Sequence, residues 1–213
     1  MDPDLSKLLW LLLGWLLGLL SPGIAERVRR KHRQADVMTA VSGELRELQY
    51  MMGVVAYRIR GHLGEVGDSF LDWLIPIVQN YHGPDGDPKL PGIMEKSRRE
   101  LTEEQRRQIH LGLRRPESGL GLKEYSVPLV VGMTSELSIC PLPFQRGVLR
   151  TMNQLDRYNQ HVEYVRSQFE KTFDIALTDE NRQAVLSNLD RGYRELAEMA
   201  QRIADSVDAI ASP

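Results

Sequence analysis

With Cys140 as its one cysteine, the 213-residue chain can close no internal disulfide, which excludes a small scaffold held together by such bridges. Aromatic side chains are scarce at 7%, and two of the three tryptophans, Trp10 and Trp15, fall within the opening stretch. The remainder must build its core from Leu, Val, Ile and Met, which suits long packed helices. Neither sign of charge dominates: 27 basic against 29 acidic side chains leave a net charge of −2, so no whole-molecule attraction to nucleic acid is implied. Basic residues spread over a face and interleaved with stacking aromatics are also missing, which disfavours nucleic acid as a partner. The familiar catalytic signatures are absent: no H-E-x-x-H, C-x-x-C, phosphate-binding loop, G-x-G-x-x-G or G-x-S-x-G. Asp85 to Pro88, DGDP, begins like a calcium loop but lacks its third acidic position, its glycine and its closing glutamate. No cofactor or metal is expected. Cys140, between Ile139 and Pro141, reads as a small buried residue.

Most conspicuous among what is present is LLWLLLGWLLGLLSPG, Leu8 to Gly23. From Leu8 to Leu20 no side chain is charged, yet that length of helix spans only about 20 Å of a hydrocarbon core about 30 Å thick. Taken from Leu5 to Ala25, with Lys7 reaching out to the headgroups, the segment is long enough to cross. A cleaved signal peptide is the competing interpretation, since Gly23-Ile24-Ala25 offers a small-x-small cleavage site. Against it, Asp2 and Asp4 precede the run with only Lys7 opposing them. Directly after the run, Arg27, Arg29, Arg30, Lys31 and Arg33 face only Glu26. Cations on that side hold it in the cytoplasm.

The expected arrangement is therefore a single transmembrane helix over residues 1–25, amino terminus outside, in the cell membrane. Residues 26–213 follow as a cytoplasmic domain. The five cations are candidates for contact with anionic lipid headgroups. Gly14 and Gly18 form a G-x-x-x-G face that lets two helices approach, and with Trp10 and Trp15 they are the candidate membrane and association residues. Ser21-Pro22 should kink the helix, or break it with Ser21 capping the next one.

Three later segments carry apolar residues at spacings of three and four. They are Met38 to Ile59, Val148 to Phe173 and Leu186 to Ile210. Such stripes predict an all-α antiparallel bundle of three long helices, with one or two short ones from an irregular middle at about 64–143. Thr178 should cap the last helix, and the short link before it should make the last two helices a hairpin. In the middle, SFLDWLIPIVQNY predicts a short helix ending near His82, and GPDGDPKLPG a loop. Thr102 and Gln105 predict a capping box for a helix reaching about Leu113. RRPESGLGLKEY reads as loop, and the β-branched SVPLVVGM as a short strand without an obvious partner.

Arg and His recur four apart, as Arg58/His62, Arg106/His110 and Arg157/His161, a spacing that places each pair on one helix face. Helical nucleases of the HEPN class leave four to six residues between such a pair; three intervene in each of these pairs, and Arg27 and His32, which have the right gap, fall in the basic run after the apolar stretch. The resemblance stops at an all-helical chain with Arg and His. Two function classes follow. One is a non-enzymatic interaction or assembly protein, partnered by membrane lipid and by a second copy or a cytoplasmic protein. A version of it is a membrane-perturbing effector of a defence or toxin-like system. The alternative is a membrane-tethered ribonuclease or other hydrolase using Arg157, His161, Arg106 and His110.

Overall fold

The computed structural model describes residues 3–113, 120–173 and 178–211; of the side chains before Gly23 it describes those of Trp10, Leu12 and Trp15. Among the described residues the chain is all-helical, with seven α-helices, one 3-10 turn and no strand. They are α1 (Pro3–Leu63), α2 (Asp68–Gln79), α3 (Leu90–Glu100), α4 (Glu103–Leu113), α5 (Pro128–Gly132), α6 (Leu142–Lys171) and α7 (Asp179–Ala211), with the 3-10 turn at Glu136–Ile139.

The three long helices coincide with the three apolar stripes. Val41, Leu45, Leu48, Met52 and Ile59 of α1 are buried, as are Val148, Leu155, Tyr158, Val162 and Val165 of α6. On α7 the buried face is wider than a two-helix seam. Leu189, Tyr193, Leu196 and Ile203 share it with the small side chains Ala197, Ala200 and Ala204. That width is needed because α7 packs against both other long helices. On one side, Gln49 donates to the Ala204 carbonyl at 3.2 Å and Arg194 to Glu65 at 2.7 Å, so α1 and α7 run antiparallel. On the other, Thr151 and Ser206 hydroxyls meet at 3.0 Å and His161 lies 3.1 Å from Glu195, so α6 is antiparallel to α7 as well. It follows that α1 and α6 run the same way, with α7 between them. Glycine permits the closest approach: a Cβ at Gly192 would stand 2.7 Å from Val165, and one at Gly147 2.5 Å from Ile210.

The stripes open at their shared far end. Phe173, packed edge-on against Phe169, is 64% exposed, and Leu186 is 46% exposed. Residues 174–177, the expected hairpin link, lie outside the described residues. The cap on α7 is present, with the Asn181 amide donating to Thr178 Oγ1 at 3.4 Å.

Four expectations need correction. The irregular middle is mostly helical, supplying three short helices and two turns of helix instead of one or two elements. The GPDGDPKLPG loop ends early, because Pro91 falls in the first turn of α3, where a missing N–H costs nothing, and Met94 is buried beneath it. The SVPLVVGM strand is the helix α5. Among the described residues no strand is available to satisfy its backbone, whereas the Glu44 carboxylate accepts from the Leu129 and Val130 amides at 3.0 and 2.6 Å. Finally, of the kink or break expected at Ser21-Pro22 the break does not occur, since α1 runs without interruption from Pro3 to Leu63. The capping box at Thr102 forms as expected: the Thr102 amide donates to Gln105 Oε1 at 2.8 Å, and the Gln105 amide to Thr102 Oγ1 at 3.2 Å.

Sixty-one residues make α1 about 90 Å long. Among the described side chains of α1 Val37 is the first that is buried, and every position from Gly23 to Arg33 is exposed, so that stretch stands clear of the bundle core. Among the described residues no helix is long and apolar enough to cross a membrane. Most side chains of the Leu8–Leu20 run lie outside those described, so the transmembrane expectation over residues 1–25 falls largely beyond them.

If α7 is the common wall of the bundle, truncating its fully buried Leu196 should cost about 2–5 kcal/mol. Urea unfolding of Leu196→Ala should show this as an earlier midpoint; a change below about 1 kcal/mol would contradict a central position for α7.

Candidate functional site

The Arg106/His110 pair is taken up by the fold. Arg106 is 1% exposed, an unusual burial for a guanidinium. It donates from Nε to the Val66 carbonyl at 3.2 Å, and from Nη1 to the carbonyls of Ser97 and Leu101 at 3.1 and 2.7 Å. Its Nη2 donates to the Asp68 carboxylate. Glu103 of the same helix accepts from the Asp68 amide at 2.9 Å. The starts of α2 and α4 are thus locked reciprocally, and Arg106 also closes the end of α3. With these donors committed to protein acceptors, the side chain is a clamp.

His110 sits one turn away, wedged against α1. Its ring meets Tyr57 edge-on at 5.6 Å, and Gly61 leaves the room, since a Cβ there would be 2.9 Å from His110 Nδ1. Burial, reinforced by the charge of Arg106, holds the His110 pKa below its ordinary value.

The second pair divides between solvent and an interhelical contact. Arg157 is exposed. His161 Nε2 approaches Glu195 Oε2 across the α6–α7 seam at 3.1 Å, off hydrogen-bond alignment, and that buried nitrogen has no hydrogen bond among the described residues. Its ring lies 5.5 Å from Tyr164. The two pairs therefore sit on different helices with different neighbours, α4 against α1 and α6 against α7. Nothing among the described contacts brings them together. Of the third pair, His62 meets Tyr193 edge-on at 5.4 Å, and Arg58 is exposed.

Open depressions remain, two of them lined by residues singled out from the sequence or by groups of both signs. A groove of about 730 Å³ between α1, α2 and α7 is lined by Arg46, Trp73, Tyr81, His82, Asp205 and Asp208. Trp73 Nε1 donates to Asp205 at 2.7 Å, and Tyr81 stacks on Tyr50 with ring centroids 4.2 Å apart. The groove joins polar groups of both signs without a base held against a nucleophile.

The other, about 710 Å³, lies between the exposed part of α1 and the 3-10 turn. Glu26, Arg29, Arg30, Arg33, Glu136 and Ile139 line it, together with Ser135. Here the expected lipid-facing cations are found on a bare helix. Arg29 pairs with Glu26 at 2.5 Å and Arg33 with Glu136 at 3.2 Å, while Arg27, Arg30 and Lys31 make no ion pair among the described residues. Trp10 and Trp15, further out, are 73% and 67% exposed, and the surroundings of Gly14 and Gly18 lie outside the description.

Among the described residues no three His, Cys, Asp or Glu side chains are grouped to hold a metal ion. Cys140 is buried, and burial raises its thiol pKa, away from nucleophilic use. The residues that organise the middle segment, Asp68, Glu44 and Asn159, were not singled out from the sequence. Asn159 pairs with both the amide and the carbonyl of Tyr125, at 3.0 and 2.8 Å, and pins an extended segment along α6. No local pattern announces such a bond. No family model, curated protein or solved structure matches the chain.

Two measurements follow. Arg106→Leu should destabilise by about 2 kcal/mol or more, because several acceptors lose their donor, whereas Arg157→Leu should fall within about 0.5 kcal/mol of the parent in the same urea titration. For His110 the folded pKa lies below the unfolded one, so the unfolded chain binds the extra proton first as pH falls. Stability should therefore decline below about pH 6.5, the ordinary histidine value. His110→Phe keeps a ring against Tyr57 and should flatten that decline between pH 7 and 5; an unchanged slope would assign the acid sensitivity elsewhere.

Proposed function

We propose that the chain is a membrane-anchored assembly module, with the apolar run at the start of α1 as its anchor and the bundle as its working body. The observation that carries this reading is the continuity of α1. One helix holds the run with its bare tryptophans Trp10 and Trp15, then the cationic segment, then a wall of the bundle core. Exposed tryptophan beside leucine suits a membrane boundary, where the ring is buried and the N–H finds water. The cations that follow suit the cytoplasmic side, which gives a single pass with the amino terminus outside and the bundle inside. Gly14 and Gly18 would bring two copies together through their anchors.

A catalytic role finds less support. The pairs that would carry a hydrolase are occupied as a buried clamp and as an interhelical contact, and neither lines the two depressions. Binding and assembly, with a second copy or a cytoplasmic protein, remain the function that the arrangement serves. An effector whose assembled anchors disturb the bilayer is one form of it, since a short strictly apolar run favours local thinning.

The test is biochemical. The full chain should stay with membranes after alkaline carbonate extraction, and its body should survive protease added to spheroplasts. Digestion of the body, or a mature chain starting at Glu26, would end the reading. In detergent, Gly14→Leu with Gly18→Leu should lower the sedimenting mass of the parent; an unchanged mass would remove this glycine face from the assembly.

A further inference from the structure

We propose that the groove along α6 is a binding site for an extended peptide, filled in this structure by the chain's own residues 120–127, and that the same segment of a second copy is its ligand in the assembled protein. The inference rests on the assembly reading above, but on neither the anchor nor its glycine face.

Residues 120–127 belong to no helix and form a strap that runs alongside α6 in the opposite direction. Leu122 is met by Arg166, and Tyr125 by Asn159. The two partners are seven residues apart on the helix, about 10 Å, and three residues of strap cover that distance only when extended. Leu120, Leu122, Tyr125 and Val127 pack inward on the core, while Gly121, Lys123, Glu124 and Ser126 are exposed.

The contacts are those of a peptide groove. Asn159 Oδ1 accepts from the Tyr125 amide at 3.0 Å and its Nδ2 donates to the Tyr125 carbonyl at 2.8 Å, so one side chain engages both backbone groups of one residue. Arg166 donates to the Leu122 carbonyl at 2.7 Å and to the Glu124 carboxylate at 2.6 Å. The Tyr193 hydroxyl of α7 accepts from the Leu120 amide at 3.4 Å. Backbone bonds of this kind hold any extended segment, and side chains on alternate positions then choose among segments. Here Arg166 asks for an acidic residue, and the core asks for apolar ones at the places of Leu120, Leu122 and Tyr125.

A second copy brings that sequence unchanged, so exchange of the strap between copies restores every contact that it breaks. Lifting the strap is a local event. Its Leu120, Leu122 and Tyr125 side chains are only half-buried, and the Arg166–Glu124 pair lies open to water. Segments with so little buried apolar surface open well below the free energy of global unfolding.

The test uses a fluorescein-labelled peptide of residues 120–127 and the full chain in detergent, with Gly14→Leu and Gly18→Leu to silence the glycine face. Glu124→Lys with Tyr125→Gly frees the groove of its own strap, and this variant should bind the peptide at least tenfold more tightly than the chain with its strap intact. Adding Asn159→Ala should abolish the binding, and a scrambled peptide should not bind. No binding by a strap variant that keeps the parent's circular dichroism would overturn the peptide site. Mixing the strap variant with an Asn159→Ala chain, whose strap is intact, should give a heterodimer in sedimentation that neither forms alone. Peptide binding without that heterodimer would overturn the second copy as ligand, while the sedimenting mass of the parent still reports the glycine face by itself. Should the strap variant unfold, hydrogen exchange of the parent decides. Amides of residues 121–126 should exchange through an opening far more frequent than that of the α7 core, and exchange in step with that core would overturn a releasable strap.

Discussion

Everything in this structure follows from the two-sided burial of α7. A helix with one neighbour needs a single narrow seam, but a helix between two neighbours must be apolar across a wide arc and small where the backbones draw close. Ala197, Ala200 and Ala204 widen the buried arc of α7, and Gly192 meets Val165 where a side chain could not. Larger residues there would force the outer helices apart and open voids elsewhere. The orientation of the long helices is a consequence. Each outer helix is antiparallel to the one between, so they are parallel to each other, and the chain between α1 and α6 must travel back along the body. The short helices are that return path.

The long helices were readable because a stripe repeating every three or four residues has one physical solution, a buried face. The middle was harder for the opposite reason. Its elements are too short to show a period, and long-range polar contacts hold them in place. Pro91 and Gly92 look like a loop until the first turn of a helix is allowed to begin on them. SVPLVVGM has strand composition, but the Glu44 carboxylate, more than eighty residues away, offers its amides a helical alternative. The Thr102 capping box was legible because both partners lie within four residues. Legibility followed the sequence distance of the deciding contact.

The Arg/His pairs teach a related lesson about sites. Spacing alone put Arg106 and His110 on a helix face, and they do share one. What spacing could not reveal was that the face points inward. Four acceptors, from Val66, Asp68, Ser97 and Leu101, converge on Arg106. The sequence carries no trace of that convergence, because three of the four are backbone carbonyls, and any residue can supply one. The cationic run before Val37 was legible, in contrast, because it depends on no distant partner except Glu136.

The unbroken course of α1 has a mechanical meaning. The same helix is both the outer stem and a wall of the core, so the stem cannot swivel independently of the body. Turning it by one residue's rotation, about 100°, would carry Val41, Leu45 and Met52 out of the core and toward water. The azimuth of the body is therefore fixed by the azimuth of the stem. Any pairing of two stems along a chosen face sets the bearing of the two bodies toward each other, with no hinge to absorb an error.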